Sequence, residues 1–451
     1  MTTNQFPTLE FINHASVLIS HNEISLLSDP WYQGDAFHKG WNLLHELSDS
    51  EIDSLISRTT HIWVSHEHPD HFSILFFKKF SEKIKQRKIQ ILFQQTTDKR
   101  VEGFLRGNGF KLQILKKDTW IEIGHDFKVL NFKDGFYDSG LAIDAGGKRF
   151  LNLNDCEIKT PSRCEEILKL VGACDVLISQ FSYAAWKGGQ ENIEWRKLAA
   201  KEKLNTLDLQ VKYFKPNILI PFASYVYFSN ENNFYLNDES NKPIDVLDYF
   251  NSNEILNVKI MKPFEIMRTY ESDFDSTNAV NFWNNKYKEA FQTENLQFTK
   301  VDMESLKENF LKYKERIFKN NSKFFIKLIK TFSPIPAFSP LIIELKDLNV
   351  SVLIDIFADE LSAVNEQSDI SMTSESLDFI FKNTFGFDTL TVNGCFEEEK
   401  EGGFLKMTKL MAIENLNNIG IYIRTSIFFR FDIILMFLKR LSAVNKKIKN
   451  A

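Results

Sequence analysis

The chain has 451 residues, about three times the usual domain of roughly 150, so two domains are expected and three are allowed. Hydrophobic residues at 43% and charged residues at 25% describe an ordinary globular protein and exclude disordered, fibrous and collagen-like classes. Lys plus Arg at 55 against Asp plus Glu at 60 gives a formal net charge of −5, too balanced for a chain that neutralises a phosphate backbone, so nucleic acid is not an expected partner.

Four cysteines, Cys156, Cys164, Cys174 and Cys395, form no Cys-x-x-Cys pair, which argues against a disulfide framework or a thiolate zinc knuckle and for a reducing compartment. The opening residues lack a basic stretch followed by an apolar run, so no secretory signal is read and a cytoplasmic location is expected. The most apolar tract, 419–441, is interrupted by Arg424, Arg430, Asp432, Lys439 and Arg440, and so predicts no transmembrane segment.

In chain order, residues 9–30 predict two strands joined at His21-Asn22 and closed by Asp29-Pro30. A helix follows at 49–57, then a buried strand at 61–65 that runs directly into His66-Glu67-His68-Pro69-Asp70-His71 and a helix through Leu75 and Phe80. Further strands are predicted at 91–94, 120–132 (turning at Gly124-His125), 141–154 (turning at Gly146-Gly147), 175–181 and 217–222, with helices at 161–171 and 191–213. Strands interleaved with helices to about residue 270 predict a layered α/β domain.

The texture changes near residue 276. Met303, Leu306, Phe310, Tyr313 and Ile317 share one face of a helix that Asp302 can cap, and the lysines between 307 and 330 read as its solvated side. Three prolines in 332–340 mark a hinge or crossover, followed by strands at 341–345 and 350–357, a helix at 374–382 and a strand-like run at 389–396. A last helix at 425–441, apolar on one side and basic at its end, is expected to dock on its own domain rather than on a membrane surface. The expected division is therefore a layered domain over 8–275 and a smaller α/β accessory domain over 276–451.

All nine histidines lie within the first 125 residues. Four metal-ligand side chains, His66, His68, Asp70 and His71, fall within six positions at the end of a buried strand. His66 and His68 point the same way by the period of two, and the loop turns Asp70 and His71 back, so the spacing suits two cations side by side. No phosphate loop and no activated Ser or Cys nucleophile is present, so metal chemistry is the only mechanism the sequence offers.

His-x-His-x-Asp-His after a strand resembles the signature of the metallo-β-lactamase fold, an αβ/βα sandwich. The stretches 28–46, 132–140 (FKDGFYDSG), 150–157 (FLNLNDCE), 178–189 and 220–228 are similar to the catalytic domain of CMP-N-acetylneuraminic acid hydroxylase, over roughly residues 8–275. That family carries a Rieske iron–sulfur domain ahead of this one. No Cys-x-His pair is found here and the first strand begins near residue 9, so the Rieske domain is expected to be absent.

The resemblance implies Asp155 as a metal ligand between the cations, and a carboxylate, Asp134, in place of a third histidine, although Asp134-Gly135 is also a common turn pair. The last ligand position has no histidine after His125, which itself reads as a hairpin tip, and Asn230 is the candidate. Asp70 is the expected catalytic group, orienting a water and taking its proton in a hydrolytic reaction. Asp29 is expected to steady the metal loop or simply to end a turn, and His14 to donate to substrate or to Asp155 or to sit as a satisfied core histidine. Trp186, Lys187, Tyr225 and Asn230 lie on loops that can line a pocket for a polar, anionic substrate, or are ordinary surface loops.

Carboxylates in place of imidazoles favour iron, with zinc or manganese as alternatives. The first expectation is an iron-dependent oxygenase or oxidase with two metal ions acting on a polar biosynthetic intermediate such as a sugar nucleotide, drawing electrons from a separate donor protein or from its substrate. A metal-dependent hydrolase of a phosphoester or amide is the second, and a non-catalytic binding protein on the same fold the third. The run 369–394 weakly resembles sterol-carrier-like modules, an expectation for the accessory domain.

Overall fold

The computed structural model describes residues 6–251, 257–268, 275–333 and 336–425, and all but the first residue of the helix expected at 425–441 lies outside them. Two compact units form, one from residues up to 297 together with 392–394, the other from 298–391 and from 395 onward. The boundary thus falls 22 residues later than the sequence suggested (297 − 275), because helix Thr277–Ala290 belongs to the first unit. Its Trp283 is fully buried, donates Nε1–H to the Met261 carbonyl at 2.8 Å and lies 4.2 Å from the Tyr225 ring.

The first unit holds two seven-stranded sheets. One runs Glu265–Arg268, Thr8–Asn13, Ser16–His21, Ile24–Ser28, His61–Val64, Gln90–Gln94, Lys111–Leu115. It is antiparallel up to Ile24–Ser28 and parallel from there on. The other runs Asn257–Val258, Ile218–Phe222, Val176–Gln180, Lys148–Asn154, Ser139–Ala145, Phe127–Lys133, Trp120–Gly124. Here Lys148–Asn154 and the strands on its Val176–Gln180 side are parallel, and the hairpins on its other side antiparallel.

Alternation along each strand builds the layers. In the first sheet Trp63, Leu26 and Leu92 enter the core shared with the second sheet, while Ile62, Val64, Leu27, Ile91 and Phe93 face the other way. That outer face is covered by Ile52, Leu55 and Ile56 of helix Asp49–Arg58 and by Phe76, Phe77, Ile84, Val101 and Leu105. Cys164, Ile167 and Val171 of helix Pro161–Val171, with Leu207, Val211 and Phe214 of helix Ile193–Phe214, pack on the second sheet. The result is helix, sheet, sheet, helix, the expected αβ/βα sandwich. Local signals agree with it: Ser48 and Glu51 form a capping box, and Thr160 caps a helix with Pro161 in its first turn.

Two elements differ from the sequence reading. Residues 9–30 form three strands rather than two, since Asn13 and Ser16 pair across an extra tight turn. The strand-like run at 389–396 is helix Gly386–Asn393 and then strand Phe396–Glu398, because a short apolar run does not fix its own period. In the second unit a five-stranded sheet is ordered Ser362–Val364, Val350–Ile354, Leu341–Leu345, Ile370–Met372, Phe396–Glu398; helix Gly403–Met411 packs on its strands Leu341–Leu345 and Ile370–Met372, and helices Met303–Asn320 and Ser374–Lys382 pack on each other. Among the described residues no helix is long and apolar enough to cross a membrane.

Candidate metal centre

The parallel strands Ile24–Ser28, His61–Val64 and Lys148–Asn154 end at one edge of the sandwich, where carboxyl ends of strands commonly present ligands. Asp29 stands one residue past the first of them, with a positive φ of 35° and its N–H bonded to the Trp63 carbonyl at 2.9 Å. Its Oδ1 accepts the Ser65 backbone N–H (2.8 Å), and its Oδ2 accepts the Ser65 hydroxyl (2.8 Å) and Asn154 Nδ2 (2.6 Å). The same Oδ2 lies 3.1 Å from His71 Nδ1, so the carboxylate takes that ring proton and leaves Nε2 facing the cluster. Ser65 Oγ has spent its hydrogen on Asp29 and accepts from His66 Nδ1 at 2.9 Å, which frees His66 Nε2 as a lone pair. One buried carboxylate thereby sets two imidazoles, His71 directly and His66 through a serine.

Beyond Ser65 the chain folds back on itself, with the His71 and Phe72 N–H groups both donating to the His68 carbonyl. This brings His66 Nε2 to 2.8 Å from His68 Nδ1, and His71 Nε2 to 3.1 Å from Asp70 Oδ2. The second sheet adds Asp155, whose Oδ2 is 3.2 Å from His71 Nε2, and Asp138, whose Oδ1 is 3.6 Å from His66 Nε2. Among the described residues three donor groups result, each with its atoms within 4.8 Å of one another: His66, His68 and Asp138; His66, His71 and Asp155; and His14, Asp70 and His71.

The expected third carboxylate is displaced. Asp134 turns away to Arg163, Oδ1 to Nε 3.0 Å, and belongs to none of these groups. Its N–H donates to the Asp138 carbonyl at 2.9 Å, closing a turn that delivers Asp138 to the start of strand Ser139–Ala145. Ser139 Oγ then bonds the Ser65 carbonyl at 2.7 Å, anchoring that strand beside the metal loop. The sequence did hold a signal for Asp138: it is the second carboxylate of FKDGFYDSG, and it abuts a strand as the other ligand candidates do.

His14 points to Asp70, Nε2 to Oδ2 3.3 Å, rather than to Asp155. Asn230 is fully buried, with Oδ1 accepting from Asn232 within its own loop, and belongs to no donor group. Tyr225 is a core side chain, its hydroxyl on the Pro221 carbonyl at 3.2 Å, so it lines no substrate loop. Trp186 is buried and edge-on to Trp195. Lys187 is half-buried, and burial followed by repulsion from Lys203 lowers its pKa. His125 is exposed on its hairpin tip.

Lys203 was not anticipated. It bonds Gln180 Oε1, and Gln180 Nε2 reaches Asp155 Oδ1 at 3.2 Å, so a positive charge is linked through one amide to a candidate ligand.

Electrostatics favour a cation in this space. Burial drives His66 well below the ordinary histidine range, helped by His71 and His68. Burial also opposes a charge on His71, yet Asp70 and Asp155 overcome it and hold that ring protonated. Asp138, pushed up to about 7 by burial against the pull of His68, retains a proton that an isolated carboxyl would have lost. Protons thus supply positive charge between crowded carboxylates, and Asp70 Oδ1 is buried without a hydrogen-bond partner. The four imidazoles and three carboxylates of these groups fit a pair of borderline or hard cations.

Layering, motif and site place the chain in the metallo-β-lactamase fold. No family model matches it. It is 27% identical over 251 residues to the cytidine monophosphate-N-acetylneuraminic acid hydroxylase of Danio rerio, covering 52% of this chain and 41% of that protein. The corresponding hydroxylase of Asterias rubens is 25% identical over 332 residues, 68% of this chain and 49% of its own. The chain therefore spans less than half the length of these two curated relatives. Among solved structures, CmlA, a diiron β-hydroxylase from Streptomyces venezuelae, aligns over 58% of this chain and 54% of its own at 16% identity and a TM-score of 0.43. A possible metal-dependent hydrolase from Veillonella parvula aligns over 58% of this chain and 99% of its own at 16% identity and a TM-score of 0.41.

Proposed function

We propose that the chain is a dinuclear metal-dependent oxygenase, with iron as its working metal and a polar, anionic biosynthetic intermediate such as a sugar nucleotide as substrate. The observation that carries the reading is the donor set: every histidine group includes a carboxylate, and Asp138 supplies oxygen beside His66 and His68. His66, His68 and Asp138 would hold one cation, and Asp70, His71 and Asp155 the other. Such a ligand set is hard enough for iron, and similarity to hydroxylases over half the chain supports the oxidative choice. A bound iron pair supplies O2 activation, so that one oxygen atom enters a substrate C–H bond and the other leaves as water, at the cost of two electrons and two protons. The electrons come from a separate donor protein or from the substrate itself.

The chain's own residues do the rest. Asp29 and Ser65 fix the imidazoles by their Nδ1 protons, so no side chain has to reorient during turnover. Asp138, whose carboxyl burial pushes up to about 7 in the metal-free molecule, would release that proton when it takes up the cation beside His66 and His68. Lys203 and Lys187 place positive charge beside Asp155 and Glu157, where an anionic substrate group gains most from desolvated partners.

The hydrolytic alternative draws on Asp70, whose unpartnered Oδ1 can orient a water and accept its proton. The test is elemental analysis of protein made in iron-replete medium, followed by anaerobic reduction and exposure to O2. About two iron per chain with an absorbance change on O2 supports the oxygenase. Zinc with turnover of a generic phosphodiester sinks it in favour of the hydrolase, and a folded metal-free protein that binds a partner favours the third reading.

A further inference from the structure

We infer that His14 is itself a metal ligand, completing the second cation's set with Asp70 and His71 from a part of the chain 56 residues away from Asp70. The inference rests on the dinuclear reading above and adds a residue to it.

His14 lies in the tight turn between Thr8–Asn13 and Ser16–His21, 2% exposed. Three contacts fix it. Its N–H donates to Asn13 Oδ1 at 2.9 Å, its carbonyl accepts the Ala223 N–H at 2.8 Å, and its ring is edge-on to Trp31 at 5.5 Å. Held this way, Nε2 lies 3.3 Å from Asp70 Oδ2, the same oxygen that lies 3.1 Å from His71 Nε2. Ligand atoms around one cation with bonds of about 2.1 Å stand roughly 3.0–3.4 Å apart in octahedral or tetrahedral arrangements, which these spacings match.

A satisfied core histidine would place both ring nitrogens on partners. Here Nδ1 is buried with none, and Nε2 meets only the Asp70 oxygen. Nor is His14 needed to orient Asp70 in the metal-free molecule, since the His71 ring already approaches the same oxygen. Two imidazoles converging on one carboxylate oxygen in a dry space, at the spacing of ligands around one ion, describe a cation's surroundings more closely than a hydrogen-bond network, while Nδ1 lacks a partner in either case. The Ala223 contact ties this turn to the loop after strand Ile218–Phe222, so the imidazole is braced from both sheets.

The experiment uses the full chain stripped of metal and loaded anaerobically with Co(II), whose visible spectrum reports ligand number and type. Wild type, His14→Ala and His14→Gln are compared by bound cobalt per chain and by spectrum, with thermal melting to confirm that each variant folds. His14→Gln can still donate to Asp70 but offers no imidazole. The expected result is two cobalt in wild type and about one in both variants, with the bands of the lost ion missing and exogenous imidazole restoring them to His14→Ala. Two cobalt in both variants with an unchanged spectrum, even at 10–100-fold weaker affinity, would make His14 a positioning residue and overturn the inference. Recovery of the second ion by His14→Gln alone would do the same. Wild type that binds no cation defeats the dinuclear reading instead, so the two failures are distinct.

Discussion

The two sheets contribute to the candidate metal centre in opposite styles. The first supplies His66, His68, Asp70 and His71 from one six-residue stretch after strand His61–Val64, whereas the second supplies Asp138 and Asp155 singly, from the start of one strand and the end of the next. A contiguous loop carries its geometry within itself, through the period of two and one turn closed on the His68 carbonyl. Isolated ligands depend on strand register and on which carboxylate a turn leaves at the edge. The difference predicts that the first set is robust to everything except its foundation, Asp29, while the second is sensitive to small changes in its turns.

Removing that foundation has the largest expected effect. Asp29→Ala leaves the Ser65 N–H, Asn154 Nδ2 and His71 Nδ1 without their acceptor in a site 1% exposed, which costs about 3–5 kcal/mol of stability. Metal affinity falls by about 10–100-fold at the same time. Chemical denaturation of the metal-free protein, paired with chelator competition, separates the two. A stable variant with wild-type affinity would show that the loop holds itself.

Next comes the pair that decides the second sheet's ligand. Asp138→Ala is expected to lose one cation, or about 100-fold in its affinity, because Asp138 is the carboxylate of the group that contains His66 and His68. Asp134→Ala breaks only the ion pair with Arg163, partly screened by solvent, at about 1 kcal/mol, with metal content unchanged. Elemental analysis of both variants is enough, and a reversal of the two results would restore the carboxylate the sequence had suggested.

What the sequence made legible follows the same division. The layered fold could be read from alternation, and a six-residue motif, a strand end and an Asp-Pro turn marked the metal loop, Asp155 and Asp29 as candidates because each sits in a local pattern. Asp138 was hidden because Asp134-Gly135 is the stronger turn signal, and only the hydrogen bond between the Asp134 N–H and the Asp138 carbonyl shows which of the two faces the site. Tyr225 looked like a loop residue because nothing local reveals that Trp283, 58 residues later, packs on it. Lys203 and Gln180 escaped for the same reason: helix Ile193–Phe214 has no motif, and its lysine reaches Asp155 only through tertiary packing.

That last link gives a smaller expectation. Gln180→Ala separates Asp155 from Lys203 without removing a candidate ligand, so both cations still load, with affinity reduced about tenfold. Isothermal titration with the metal alone measures it. A loss of one full equivalent would mean that Asp155 cannot hold its place unaided, and that the second sheet's ligands rely on their surroundings more heavily than the first sheet's do.

The smallest effect tests the strand that launches the loop. His61 opens strand His61–Val64, and burial, with Lys111 adding to it, lowers its pKa from 6.5 to about 4. Above pH 6.5 the ring is neutral in both the folded and unfolded chain, so its contribution to stability is complete. Below that, the unfolded chain takes up a proton that the folded one refuses, and stability falls until the pH nears 4, with a slope of at most about 1.4 kcal/mol per pH unit. Between pH 6.5 and 5.5 this integrates to at most about 1 kcal/mol, and partial exposure reduces it to roughly 0.5 kcal/mol. Subtracting the same profile of His61→Gln removes the titration of every other group, and parallel profiles would show that the base of this strand is open to water, leaving the loop's rigidity to Asp29 alone.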